Sequence, residues 1–247
     1  MNLETYQKLR RMRLSAFAKG YEEQSRSPEL YASMTFDERL TLLVDTEYDT
    51  RNTNKIRKLL RNSKVPNSSA HFAGIEFLPE RHLDHDLFSS LQTNEYIRKG
   101  LNVMLVGATG CGKTYIACAL ATNACRSEYA ARYFRLSEYF SDMEAARLQG
   151  TYDKTVKAIC RIPLVIFDDF LLLPTTPVQQ QDLLILLRAR DEEHSSTVLC
   201  SQISLEGWHE RLGSGGIADT LLDRITSNGY EISIAGDVSM RRRHSRI

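Results

Sequence analysis

Gly107-Ala108-Thr109-Gly110-Cys111-Gly112-Lys113-Thr114 is the stretch on which the fold turns. It matches G-x-x-x-x-G-K-[ST]. An apolar run, Val103-Met104-Leu105-Val106, precedes it, and a stretch of helical periodicity opens at Lys113. That strand–loop–helix setting separates a phosphate-binding loop from a chance match. The glycines let the backbone curl until its N–H groups converge, and the start of the helix adds its positive dipole end. Gly107 through Thr114, with the adjoining Tyr115, are therefore the expected ATP-binding residues. Lys113 is expected to reach the β- and γ-phosphates and Thr114 to ligate Mg²⁺.

A second part of the site is spelled by Leu164-Val165-Ile166-Phe167-Asp168-Asp169. The apolar residues read as a buried central strand. Two carboxylates follow at its carboxyl end, where ligands bind in sheets of this kind. Asp168 is expected to hold Mg²⁺, directly or through water, and Asp169 to orient or deprotonate the attacking water. Adjacent acids also suit a helix N-cap or a solvated turn; the upstream phosphate loop favours the catalytic reading. The next strand ends Leu199-Cys200-Ser201-Gln202. A polar residue at that tip would lie beside the γ-phosphate, so Gln202 is the first candidate for positioning water and Ser201 the second. An ordinary polar loop residue is the alternative.

Outward from these motifs, short apolar runs at 103–106, 132–135, 164–167, 197–200 and 230–234 alternate with helical stretches at 113–126, 137–148, 152–161, 178–193 and 217–227. Such alternation predicts an α/β domain over residues 70–247, with a five-stranded parallel sheet covered on both faces. One further strand, around Tyr133, falls between the phosphate-loop strand and the Asp168 strand. An inserted strand there marks the additional-strand class of P-loop ATPases, whereas nucleotide kinases and GTPases set the two strands side by side. A kinase would also need an arginine-rich substrate lid, and none is apparent.

Residues 1–66 read as a small all-helical N-terminal domain. Leu3, Tyr6, Leu9, Met12 and Phe17 recur at helical spacing until Ser27-Pro28 breaks the run. Thr35-Phe36-Asp37-Glu38 has the form of a capping box, followed by an apolar stripe of Phe36, Leu40, Leu43 and Val44. A third helix is expected around Ile56, Leu59 and Leu60, and Val65-Pro66-Asn67-Ser68-Ser69 reads as the linker.

Charge is balanced overall, with a net +1, so only its distribution informs. Arg10, Arg11 and Arg13 cluster near the start. Lys55, Arg57, Lys58, Arg61 and Lys64 form a second group, and Arg241, Arg242, Arg243 and Arg246 a third. Basic clusters on a balanced chain point to a polyanion such as DNA; a solvated helix face is the plain alternative. No apolar run nears the roughly 20 residues that span a bilayer, and no secretory h-region is evident, which favours the cytoplasm. Cys111, Cys118, Cys125, Cys160 and Cys200 form no C-x-x-C pair, so free thiols are expected. The first three, seven apart, would share a helix face as small core residues or, less simply, as a metal or redox group. His82 and His85, flanked by Asp84 and Asp86, lack a third cluster to complete a zinc site. Trp208 and His209 suit either nucleic-acid stacking or, for the tryptophan, packing beneath the sheet.

Together these residues resemble the IstB-like ATPases, helper proteins of insertion-sequence transposition related to the DnaC helicase loaders. The resemblance covers nearly the whole chain. It rests on Leu9-Arg10-Arg11-Met12-Arg13-Leu14, Phe36-Asp37-Glu38-Arg39-Leu40 and Ile56-Arg57-Lys58-Leu59-Leu60 in the helical part. In the ATPase part it rests on the phosphate loop, Phe167-Asp168-Asp169-Phe170, Ser201-Gln202, Trp208-His209-Glu210, Leu221-Leu222-Asp223-Arg224-Ile225 and Ser239-Met240-Arg241. It implies an AAA+ fold whose copies assemble so that Arg224 of one completes the nucleotide site of the next. Pairing of Arg224 with Asp219 or Asp223 on its own helix is the alternative. It implies further an ATP-dependent protein that oligomerises on duplex DNA and assists a cognate transposase. A DnaC-like helicase loader and an ATP-switched scaffold with negligible turnover are the rivals.

Three departures from the family pattern matter. Leu171 stands where glycine commonly follows Asp-Asp-Phe, so the turn there is expected to differ. Asp169 is shorter than the glutamate of many AAA+ proteins, so slow hydrolysis is expected. Thirteen residues follow Ile234, too few for a full lid domain, and Arg241 is the remaining candidate for a second sensor arginine.

Overall fold

A computed structural model describes residues 2–236 and 239–243, the side chains of Arg241 and Arg242 excepted. The chain divides into two compact units, Met1–Lys58 and Leu59–Ile247. The division falls inside a helix rather than in the proline-containing segment after it.

The first unit is helical. Asn2 caps α1 (Leu3–Arg11), its Oδ1 accepting from Glu4 N at 3.0 Å. The single N-terminal helix expected from periodicity is in fact two: Arg13 takes a left-handed φ of 60°, and α2 (Ser15–Arg26) starts afresh. The opening N–H groups of α2 have no cap of their own. Those of Ala16 and Phe17 donate to Glu47 Oε2 at 2.8 and 3.0 Å. Burial alone would raise the Glu47 carboxyl, but these bonds and Arg51, 2.7 Å away, outweigh it and hold the pKa down.

Thr35 and Glu38 do form the capping box, at 2.7 and 3.3 Å, and open α3 (Phe36–Ser63). No glycine or proline interrupts 36–63, so the expected second and third helices are one. The apolar stripe assigned to its start is also corrected. Leu43 is buried, its Cδ2 so close to Gly20 that a Cβ there would lie at 2.7 Å. Phe36, Leu40 and Val44 are exposed.

The second unit continues with α4 (His85–Gln92), α5 (Glu95–Arg98), β1 (Asn102–Gly107), α6 (Lys113–Arg126), β2 (Ala131–Arg135), α7 (Leu136–Leu148), α8 (Tyr152–Cys160) and β3 (Leu164–Asp168). It ends with α9 (Pro177–Glu192), β4 (Ser196–Ser201), α10 (Leu205–Arg211), α11 (Gly216–Thr226), β5 (Gly229–Ile234) and α12 (Met240–Arg243). The strands form one parallel sheet in the order β2-β3-β4-β1-β5. Successive side chains point to opposite faces. Leu164, Ile166, Val103 and Leu105 therefore pack on the side of α6, and Val165, Phe167, Met104 and Val106 on the side of α7 to α11.

The inserted strand is present, but its identity is corrected. β4, not the Tyr133 strand, lies between β1 and β3. Every residue of β4 is buried, as a strand with two neighbours requires, whereas β2 carries Arg132 and Arg135 and takes the edge. Arg190 anchors the amino end of β4: its guanidinium donates to Thr197 Oγ1 at 3.0 Å, Ile162 O at 2.8 Å and Ser196 O, and burial pushes it down to about 10. No helix among the described residues is long and apolar enough to cross a membrane.

All five cysteines are free and buried. Cys118 and Cys125 lie on α6, their thiols pushed up to about 11 by burial. Cys111 belongs to the phosphate loop rather than to that helix, so the expected three-cysteine face does not exist. His82 sits in a left-handed turn ahead of α4, and the His85 ring stacks on Phe77 at 3.9 Å.

Candidate nucleotide-binding site

The phosphate loop joins β1 to α6, and Gly110 and Gly112 hold φ of 85° and 99° within it. Side chains rarely adopt such angles, and at both positions a Cβ would also crowd a neighbour, Ser239 Oγ at 2.6 Å and Arg81 Nη2 at 3.0 Å. Lys113 opens α6 and folds back, its Nζ donating to Gly107 O at 2.6 Å and Ala108 O at 2.9 Å.

A cavity of about 760 Å³ opens over the loop. Thr109, Gly110, Gly112, Lys113, Thr114, Tyr115, Asp168, Asp169 and Gln202 all line it, so the structure brings these expected site residues together. Asp168 ends β3 on the α6 face. Its Oδ2 accepts from Thr114 Oγ1 at 2.7 Å and from Tyr133 OH at 2.7 Å, and its Oδ1 from Asp169 N at 2.9 Å. A threonine hydroxyl and a carboxylate in contact form an oxygen donor set of the kind a hard cation requires, and the helix start beside them, which lines the cavity, suits a phosphate. Gln202 follows β4, the strand between β1 and β3, and its Oε1 accepts from Thr109 Oγ1 at 2.5 Å.

The segment after Asp168 is strained. Asp169 and Leu171 hold φ of 54° and 53°. Leu171 thus takes a left-handed backbone of the kind glycine favours. It does so with its side chain fully buried, which offsets a cost of roughly 1–2 kcal/mol. Phe170 N donates to Cys200 O at 2.8 Å, and Ser201 Oγ to Phe170 O at 2.8 Å. Ser201 is therefore a brace between β4 and this segment rather than a lining residue of the cavity.

Trp208 completes the brace. It is fully buried, meets Phe170 edge-on at 4.9 Å, and its Nε1 donates to Ser201 Oγ at 3.0 Å and Ile203 O at 2.9 Å. It packs beneath the sheet, as one of the two expectations held, and nucleic-acid stacking by this residue is overturned. Trp208→Phe is expected to cost roughly 1–3 kcal/mol through these lost bonds, read as a lower urea midpoint at unchanged slope.

Arg224 lies elsewhere. Near the end of α11, its backbone carbonyl approaches Asn102 Nδ2 at the amino end of β1, roughly 17 Å along that strand from the phosphate loop. Its Nη1 pairs with Asp191 Oδ2 on α9 at 3.0 Å, and not with Asp219 or Asp223; Asp219 accepts from His209 Nε2 at 3.0 Å. Arg10, Arg11, Arg13, Lys55, Arg57, Lys58 and Arg61 are exposed. Arg246 and the Arg241 side chain lie outside the described residues.

Two site residues escape a reading of the sequence. Arg81, at the end of a 3-10 turn, lines the cavity while almost fully buried. Its guanidinium donates to Glu76 O and, at 2.8 Å, to Cys111 O of the phosphate loop; burial lowers its pKa. One arginine among many carried no signal of this. Tyr133 is the other, and its reach to Asp168 depends on strand register.

Residues 7–247 match the family of IstB-like ATP-binding proteins. The chain belongs to that family. It is 32% identical over 242 residues to the insertion-sequence ATP-binding protein y4pL of Sinorhizobium fredii, covering 98% of this chain and 97% of that one. To the IS1162 ATP-binding protein of Pseudomonas fluorescens it is 33% identical, over 82% of this chain and 87% of that one. Among solved structures, this IstB-like protein is similar to DnaI, at a TM-score of 0.57 and 20% identity, over 75% of this chain and 93% of that one. It is also similar to the DnaC helicase loader, at a TM-score of 0.55 and 16% identity, over 67% and 96%. AMPPCP-bound DnaA from Aquifex aeolicus aligns at a TM-score of 0.59 and 17% identity, over 71% of this chain and about half, 52%, of that one. At these identities the structures speak for the fold alone. The chain is thus an IstB-like ATP-binding protein whose P-loop core shares its fold with DnaI and DnaC.

Proposed function

We propose that this IstB-like protein is a slow, DNA-stimulated ATPase that assembles with its own copies on duplex DNA and assists the transposase of its insertion sequence. The observation that carries the reading is a divided site. Lys113, Thr114, Asp168, Asp169 and Gln202 surround one cavity, while Arg224 stands at the far end of the sheet, beyond reach of its own phosphate loop. A second copy is the natural recipient of that arginine, and its charge would stabilise the transferring phosphoryl group.

Within the cavity, the loop N–H groups and Lys113 bind the phosphates, and Thr114 and Asp168 would hold Mg²⁺. When bound, Mg²⁺ neutralises charge on the β- and γ-phosphate oxygens. Asp169 accepts a proton from the attacking water, and Gln202, its oxygen held by Thr109, keeps an amide donor to orient that water. The exposed basic residues of 10–13 and 55–61 suit phosphate contacts, which would be salt-sensitive and weakly sequence-specific.

Phosphate release and sedimentation, each with and without duplex DNA and ATP, test this reading. DNA-stimulated turnover together with ATP-dependent assembly supports it. Assembly without turnover would favour an ATP-switched scaffold, and a preference for single-stranded DNA a helicase-loader role. A monomer under all conditions would overturn it.

A further inference from the structure

We propose that Tyr133 is a positioning residue for the nucleotide site: from the edge strand, its hydroxyl fixes the Asp168 carboxylate in the orientation that holds the cation. The inference rests on the reading of Asp168 as the cation-holding carboxylate and goes beyond it.

Strand parity places the two side chains together. Tyr133 pairs in register with Ile166, and Asp168 is two residues on, so all three project from the α6 face. The Tyr133 ring is buried in the core on that face and has few alternatives for its own conformation. Its hydroxyl donates to Asp168 Oδ2 at 2.7 Å, the same oxygen that accepts from Thr114 Oγ1 at 2.7 Å. The other oxygen is taken by Asp169 N at 2.9 Å. The carboxylate is thereby held at both ends and cannot rotate without losing a buried bond.

Of these restraints, only Tyr133 comes from outside the expected site residues. Partners that orient a ligating carboxylate are worth roughly 10- to 100-fold in metal affinity.

The test compares wild type, Tyr133→Phe and Asp168→Asn. For each, the affinity for a fluorescent ATP analogue is measured in EDTA and in Mg²⁺, and Mn²⁺ is used as a paramagnetic probe of the protein–nucleotide complex. Tyr133→Phe keeps the ring and removes the hydroxyl. It is expected to bind nucleotide normally in EDTA, to lose roughly 10- to 100-fold of the gain conferred by Mg²⁺, and to broaden the bound Mn²⁺ spectrum. Full retention of the Mg²⁺ gain in Tyr133→Phe, with the gain lost in Asp168→Asn, would overturn the role given to Tyr133 alone. Retention in Asp168→Asn would overturn the underlying assignment of Asp168. An equal loss in EDTA and in Mg²⁺ would mark Tyr133 as merely structural and also overturn the proposal.

Discussion

Arg224→Ala is expected to lower phosphate release by about a thousandfold, the lower end of what an arginine supplied in trans contributes, while ATP affinity stays at the wild-type level. The separation follows from position. Arg224 is at the amino end of the sheet and the phosphate loop at the carboxyl end, so the substitution leaves the protein's own cavity intact. The fold should survive, because the pair with Asp191 is partly exposed and such pairs contribute roughly 0–1 kcal/mol.

Mixing supplies the decisive check. Arg224→Ala retains a complete cavity, and Lys113→Ala retains the arginine. If the site is shared, the mixture regains activity that neither variant has alone. Full turnover by Arg224→Ala alone would remove the in-trans role.

Asp169→Asn is the second large effect. Loss of a positioned general base costs roughly 10²- to 10⁴-fold in rate, and that fall is expected in single-turnover phosphate release. Nucleotide binding should persist, because Lys113, Thr114 and Asp168 keep their contacts. The substitution is also neutral for the backbone. Asp169 is held at φ 54°, a region that asparagine tolerates as readily as aspartate. Unchanged single-turnover release in Asp169→Asn would mean that another group handles the water.

Much of this site could be read along the chain because its signals are local. The phosphate loop needs glycines, a lysine and a threonine at fixed offsets, and β3 needs an apolar run closed by carboxylates. Both follow from backbone geometry over a few residues. What could not be read depends on contacts across elements. Which strand separates β1 from β3 is set by burial on both faces of β4, a property of the assembled sheet. The bond from Tyr133 to Asp168 requires the β2–β3 register. Arg81 reaches Cys111 O from a 3-10 turn thirty positions upstream. Leu171 takes a glycine-like conformation because the core behind it accepts the side chain, which no local propensity would suggest.

The buried thiols have a practical corollary for watching assembly. Every cysteine lies inside the protein, so a maleimide dye meets no accessible native sulfur on the folded chain. A single cysteine introduced at exposed Asp223, next to Arg224, would be the sole attachment point without a cysteine-free background. Donor- and acceptor-labelled copies mixed with ATP and DNA would then report by energy transfer when two subunits meet, and how long they stay together before the nucleotide is spent.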